Sequence, residues 1–114
     1  MERRDKSPDD PLKFIQECVR KGRILWTYHV NMRLEGRHIA RREILEAVEA
    51  FGIIEAYTED KYLPSYLILA ERKEAAFHVL FAADVEGANV RIVTAYRPNP
   101  EQWMPDLRTR RRGL

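Results

Sequence analysis

Two hydrophobic periodicities divide the chain near residue 52. Before this point, apolar residues recur every three or four positions, which is typical of amphipathic helices. After it, they alternate or form short runs rich in β-branched and aromatic residues, which is typical of strands. Helices followed by sequential strands with short links predict an α+β domain, with N-terminal helices packed on a four-stranded, mainly antiparallel sheet.

Three helices are predicted in the first half of the chain. Asp10 and Thr27 are suitable N-caps, and Pro11 fits the first turn of a helix. Gly22 and Gly52 are predicted to end the first and third helices in the left-handed conformation. The three predicted helices cover residues 11–21, 28–37 and 41–51.

The second half of the chain predicts four strands and their turns. Gly87, in the last turn, is available for a positive φ. A hairpin that is symmetric about Glu86 places His78 opposite Thr94 and near Tyr96, whereas a slip by one residue moves the last two residues to the other face. The sequence alone does not set this register. The four predicted strands cover residues 53–57, 66–70, 75–83 and 90–95.

Length and composition indicate one small domain of 114 residues, of which 45% are hydrophobic. The predicted organisation is a disordered N-terminus at 1–8, a single α+β domain at 9–104 and an Arg-rich flexible tail at 105–114. No apolar run approaches the roughly 20 residues of a membrane span, and the charged start does not resemble a secretory signal. The expected location is therefore the cytoplasm. The single cysteine excludes an internal disulfide.

Charge is unevenly distributed along the chain. Residues 23–42 hold five arginines against one glutamate, whereas residues 43–74 hold eight acids against three bases. A basic face beside an acidic segment suits an anionic ligand, although a soluble protein with a mixed surface charge accounts for the same composition.

The basic segment contains the main candidate site. His29, Arg33 and Arg37 stand four residues apart, so a helix stacks them along one face. His78 lies in a strand-like run, and Thr94 and Tyr96 end the next one. No cluster of His, Cys or carboxylate residues has metal-ligand spacing, so no metal and no cofactor are expected.

These residue types match the needs of metal-independent RNA cleavage. That reaction needs a base for the 2′-hydroxyl, an acid for the leaving oxygen and cations for the charge on phosphorus. Histidine can fill either proton role, and arginine matches phosphate oxygens in two-point contact. The predicted catalytic residues are His29, His78 and Tyr96, and the predicted substrate-binding residues are Arg33, Arg37 and Thr94.

Structural roles compete with each functional assignment. A histidine within a strand, such as His78, is commonly a buried and hydrogen-bonded residue, and Arg33 and Arg37 could simply pair with Glu35 or Glu43. The isolated His38 is predicted to fill a turn after the second helix. Two alternatives to an enzyme therefore stay open: a non-catalytic module that binds RNA or a protein through the same basic helix face, and a structural interaction domain.

An ordered set of motifs, spread over about residues 12–103, resembles a bacterial family, the domain-of-unknown-function family numbered 4258. The family usually has Gly at the position of His38 and Ser or Thr at that of Ala40, so the two departures concern helix ends. The motifs are His29, Arg33, Arg37 and Ile39; Gly52-Ile53-Ile54-Glu55-Ala56-Tyr57; Pro64-Ser65-Tyr66-Leu67; His78-Val79; Thr94-Ala95-Tyr96-Arg97-Pro98; and Trp103.

The resemblance implies a domain similar to the RelE/barnase-like ribonuclease folds. It also implies a gene that often lies beside one for a small zinc-finger antitoxin. The leading expectation is therefore a metal-independent endoribonuclease, the toxin component of a bacterial toxin–antitoxin pair. Its expected partners are RNA, in particular mRNA, and an antitoxin protein, with no membrane.

Overall fold

A computed structural model describes residues 7–59, 62–72 and 75–111. Most of the segment predicted to be disordered, residues 1–8, lies outside these ranges. The elements, in chain order, are α1 (Pro11–Arg20), β1 (Ile24–Leu25), α2 (Tyr28–Gly36), α3 (Arg41–Glu46), a 3₁₀ turn (Val48–Ala50), β2 (Phe51–Tyr57), β3 (Ser65–Arg72), β4 (Ala75–Asp84) and β5 (Asn89–Tyr96).

The α+β class is confirmed, but the predicted sheet of four strands is wrong. Five strands are present in the order β1-β5-β4-β3-β2, and the sheet is mixed. The added strand, β1, runs parallel to β5 and pairs Ile24 with Val90 and Leu25 with Arg91. Two residues are too short a segment for a periodic signal, so tertiary pairing alone identifies this strand.

Local capping signals define the first two helices as predicted. The Asp10 side chain accepts a hydrogen bond from the Lys13 amide at 3.1 Å, and Thr27 Oγ1 accepts one from the Val30 amide at 3.1 Å. Each bond satisfies a donor that the first turn leaves unpaired. Gly22, with a φ of 72°, follows the end of α1 in the left-handed region.

The third helix is shorter than predicted. α3 ends at Glu46, and the chain continues as a 3₁₀ turn directly into β2 at Phe51. Gly52 therefore lies inside a strand and does not cap a helix, which corrects the prediction. A Cβ at this position would come 3.2 Å from Nη1 of Arg108, so Gly52 allows a close approach. No helix in the described part of the chain is long and apolar enough to cross a membrane.

His38 fills the turn after α2, as predicted. Its φ is 55°, and the amides of Ile39 and His38 donate to the carbonyls of Leu34 at 2.9 Å and Glu35 at 3.2 Å. This bonding is a Schellman motif, which places a residue in the left-handed conformation just after the helix. The helix end therefore forms with histidine at a position where glycine is favoured.

The β4–β5 hairpin is not symmetric about Glu86 as predicted, because its pairing register is shifted by one residue. Asp84 pairs with Asn89, and the residue with positive φ is Ala88, at 52°, and not Gly87. A Cβ on Gly87 would come 2.6 Å from Oδ2 of Asp84, so this glycine relieves crowding within the turn.

A β-bulge just after Ile92 shifts the register by one more residue. As a result, His78 pairs with Tyr96 and not with Thr94. Strict alternation along β5 predicts that Thr94 and Tyr96 lie on the same face as Ile92, and this prediction is wrong. The bulge moves both residues to the face of the sheet that carries His78.

The two faces of the sheet are covered differently. The helices cover one face, where Val30 and Leu34 of α2 join the main core. A segment that we call the C-terminal strap, residues 99–111, covers the other face. The sheet residues of the main core include Phe51, Tyr66, Ile68, Phe77, Val79, Phe81, Val90 and Ile92.

The C-terminal strap folds back on itself before it meets the sheet. The Met104 amide donates to the Thr109 carbonyl at 2.8 Å, and the Arg111 amide donates to the Gln102 carbonyl at 2.9 Å. Trp103, at 1% exposure, is buried beneath this loop. Of the predicted flexible tail, residues 105–114, the part 105–111 belongs to this strap and contacts the sheet, and 112–114 lies outside the described residues.

Candidate functional site

His78 lies at the centre of the face under the strap and is fully buried. Its Nε2 lies 2.8 Å from the Leu107 carbonyl oxygen, and its Nδ1 lies 3.2 Å from the Tyr96 hydroxyl. A carbonyl only accepts, so Nε2 carries the proton and Nδ1 accepts from Tyr96. The ring of Trp103 packs edge-on at 4.5 Å between centroids. Burial lowers the pKa of His78, so its imidazole is neutral.

An ion pair fixes the strap beside this histidine. Arg110 donates to both carboxylate oxygens of Glu55, at 2.7 Å and 3.0 Å, and its guanidinium lies 4.5 Å above the Trp103 ring. The Tyr57 hydroxyl also donates to Glu55. The hydrogen bonds from Arg110 hold the pKa of Glu55 below its usual range, and the pKa of Tyr57 is raised because its proton is bound to that carboxylate.

Tyr96 is the half-buried link between the histidine and solvent. Its hydroxyl proton is directed to Nδ1 of His78, because that nitrogen is the acceptor. Burial raises the pKa of Tyr96, so the phenol is protonated at neutral pH. Its oxygen still has acceptor capacity for a further group.

Arg37 connects the end of α2 to the rim of the sheet. Its Nη1 donates to Oγ1 of Thr94 at 3.1 Å and to the Ala95 carbonyl at 2.7 Å. Its Nε and Nη2 make no hydrogen bond within the described ranges. The residue is exposed. Nη1 is therefore anchored, and three N–H groups, one on Nε and two on Nη2, remain for a ligand.

The other two candidates on α2 stand apart from this rim. His29 and Arg33 are exposed, and His29 lies two helical turns, about 12 Å of axial rise, from Arg37. The ring of His29 meets that of Tyr28 edge-on at 6.1 Å. The side chain of Arg33 makes no hydrogen bond or ion pair with any other residue that the structure describes. Four of the six predicted site residues thus form two hydrogen-bonded pairs near the end of β5, Arg37 with Thr94 and Tyr96 with His78.

Arg33 and Arg37 also differ from most other arginines in having no carboxylate partner among residues 7–59, 62–72 and 75–111. Neither pairs with Glu35 or Glu43, the partners considered from the sequence, and Glu43 instead pairs with Arg97 at 3.5 Å. The ion-paired arginines are Arg20 with Glu49, Arg42 with Glu46, Arg91 with Asp84, Arg97 with Glu43, Arg108 with Glu71 and Arg110 with Glu55.

Sequence reasoning did not find the environment of the buried histidine. Glu55 and Arg110 were assigned no role, and Trp103 entered only as part of a family motif. A carboxylate inside the apolar strand 53–57 was the one local signal that a cation should approach it.

Among the described residues, no group of three or more His, Cys, Asp or Glu could hold a metal ion.

Comparison with known proteins identifies a family. No curated protein and no solved structure matches the chain. A family model, described as Domain of unknown function (DUF4258), matches residues 26–97. This range runs from the start of α2 past the end of β5 and leaves the strap outside. Because the match spans more than half of the sequence, the chain belongs to the DUF4258 family.

Proposed function

We propose that the protein binds RNA through the exposed face of α2 that carries His29, Arg33 and Arg37, here called the α2 ridge. One observation carries the proposal: Arg33 and Arg37 share one side of a helix and lack carboxylate partners among the described residues, whereas six other described arginines each pair with a carboxylate. Unpaired arginines on one helix face form a cationic surface that attracts phosphate.

Arg37 is the best organised phosphate ligand of the ridge. Its bonds to Thr94 and the Ala95 carbonyl fix the guanidinium plane through Nη1 alone. The remaining Nε and Nη2 donors present the fork that matches two phosphate oxygens. Because the side chain is already held, it loses less conformational entropy on binding than a free arginine would.

RNA affinity as a function of salt tests this proposal. For Arg33→Gln and Arg37→Gln, fluorescence anisotropy with labelled single-stranded RNA should show weaker binding, and the slope of log K against log salt should fall by about 0.7 for each phosphate that the variant no longer binds. Arg20→Gln is the control, because it removes the same charge from an arginine paired with Glu49. Equally weakened binding in all three variants would show that only net charge matters, against a defined ridge.

Metal-independent RNA cleavage is the second candidate function, supported by the hydrogen bond between Tyr96 and His78. In this mechanism the Tyr96 oxygen accepts the proton of a 2′-hydroxyl while its own proton passes to Nδ1 of His78. The 2′-oxygen then attacks phosphorus, the bond to the 5′-oxygen breaks, and that oxygen takes a proton from water, while Arg37 stabilises the charge on the phosphate. In this form the chain is a RelE/barnase-like toxin that an antitoxin protein neutralises in the cytoplasm.

Cleavage of RNA in EDTA tests the second candidate. The products should carry a 2′,3′-cyclic phosphate, and all-DNA substrate should bind uncut because it lacks the nucleophile. Tyr96→Phe should lower the rate by about 10²–10⁴ with little change in binding. Tyr57→Phe is the matched control, since Tyr57 lies on the same sheet face but donates to Glu55. If the wild-type protein binds RNA but does not cut it, cleavage is excluded and only the RNA-binding function remains.

A further inference from the structure

We propose that Tyr28 and Met32 form a base-stacking strip beside the α2 ridge, so that the ligand is single-stranded RNA and not a duplex. The inference rests on the proposed function and specifies its substrate class. In this arrangement the arginines hold the phosphates of a strand, and the strip contacts one or two of its bases.

The exposure pattern of α2 separates the strip from the core. Tyr28 is 74% exposed and Met32 is 52% exposed, although both side chains are large and apolar. They lie one helical turn apart and so share a side of the helix. Val30 and Leu34, which are buried, lie on the opposite side.

Helix geometry places the strip directly beside the cationic residues. At 100° per residue, the line through Tyr28 and Met32 lies next to the line through His29 and Arg33. Gly36 lies between the two lines one turn later, and a Cβ at that position would have no atom within 4 Å. The surface between the strip and the ridge is therefore open, and a nucleotide can contact both.

The neighbouring charges favour RNA over a protein as the occupant of this surface. An exposed aromatic next to unpaired arginines provides the two contacts that single-stranded nucleic acids need, which are stacking for the base and cations for the backbone. An apolar partner helix over Tyr28 would desolvate Arg33, which has no carboxylate among the described residues to compensate for that cost. Bases inside a duplex are already stacked, so they cannot reach Tyr28.

Three RNA probes separate stacking from phosphate binding in the wild-type protein. The probes are a labelled strand of about 12 uridines, the same strand without bases, and a blunt RNA duplex of the same length. Anisotropy should show tightest binding to the uridine strand and weaker binding to both others. Equal affinity for the base-free strand, or preference for the duplex, would overturn the inference. No binding to any probe would overturn the proposed function itself.

Variants assign the stacking to one residue. Tyr28→Ala should weaken binding to the uridine strand about 5- to 150-fold and leave the base-free strand unaffected, while Tyr28→Phe should keep most of the affinity. Tyr62→Ala is the control, because Tyr62 is similarly exposed at 77%. If Tyr28→Ala binds the uridine strand as the wild type does while Arg37→Gln binds it more weakly, the stacking strip is excluded. RNA binding by the ridge is then retained. Loss of affinity for both strands in Tyr28→Ala would contradict a stacking role.

Discussion

The α2 ridge and the C-terminal strap use the same residue types in opposite ways. Together with its immediate neighbours, each region combines histidine, arginine and an aromatic ring. In the strap and the sheet face beneath it, His78 is buried, both ring nitrogens are bonded, and Arg110 is neutralised by Glu55. On the ridge, His29 and Arg33 are exposed.

This difference shows that residue type alone does not assign function. A polar group whose hydrogen bonds are all made within the fold stabilises that fold, because breaking them leaves buried groups unpaired. A charged group without an internal partner can form its ion pairs and hydrogen bonds with a ligand. We therefore propose that the strap stabilises the fold and that the ridge binds a ligand, and each prediction below tests this division.

The largest expected effect belongs to the strap. Trp103→Ala removes a buried side chain that packs on His78 and Arg110, so it should destabilise the protein by about 3–5 kcal/mol. Urea denaturation measures this destabilisation. Tyr28→Ala, which removes an exposed ring from the ridge side, should change stability by no more than about 0.5 kcal/mol. Similar destabilisation in the two variants would contradict the division.

The buried His78 should make the stability of the protein depend on pH. Burial keeps the pKa of His78 below its usual 6.5 in the folded protein, so below that pH the unfolded state binds a proton that the folded state does not. Stability should therefore decrease as pH falls below about 6.5, by up to about 1.4 kcal/mol per pH unit. Urea denaturation between pH 7.5 and 5, roughly, should show this slope in the wild type and its loss in His78→Gln. A slope that persists in His78→Gln would contradict the prediction.

A single glycine allows the ridge to be tested by addition of charge. Gly36 ends α2 with open space around it, so Gly36→Glu should fold and place a carboxylate near Arg33. RNA binding should weaken by about 1 kcal/mol, or about fivefold, because the acid repels phosphate and neutralises the arginine. Gly36→Gln is the uncharged control of nearly the same size, so the comparison of the two variants isolates the effect of charge. Equal RNA affinities of the two variants would mean that the RNA does not bind at the α2 ridge.

The smallest expected effect is a gain of stability at the end of α2. His38 has a φ of 55°, which is costly for a residue with a Cβ, so His38→Gly should stabilise the protein by about 1 kcal/mol or less. The urea midpoint measures the gain, and RNA affinity should not change. A decrease in stability would mean that the His38 side chain makes a contribution greater than its backbone strain.

Local signals predicted the helices, whereas the predictions for the sheet were wrong where strand pairing depends on residues far apart in the sequence. Asp10 and Thr27 cap helices through bonds to residues three positions away, so the sequence contains the whole interaction. β1 exists only because β5 lies beside it. The bulge after Ile92 likewise depends on the β4 partner, and it decides which face Thr94 occupies.

The candidate site was predictable in part for the same reason. The helical spacing of His29, Arg33 and Arg37 places them on one ridge without reference to the rest of the fold. The environment of His78 could not be predicted, because Leu107 approaches it from 29 residues away along the chain. Whether a histidine is a buried structural group or an exposed ligand depends on such contacts.

Mapping the RNA contact by NMR tests the central claim most directly. A titration of ¹⁵N-labelled protein with the uridine strand reports on every assigned backbone amide without any substitution. We predict that the largest shifts occur in α2, between Tyr28 and Arg37, while Trp103 and the rest of the strap stay nearly unchanged. Largest shifts in the strap, with α2 unaffected, would contradict the claim.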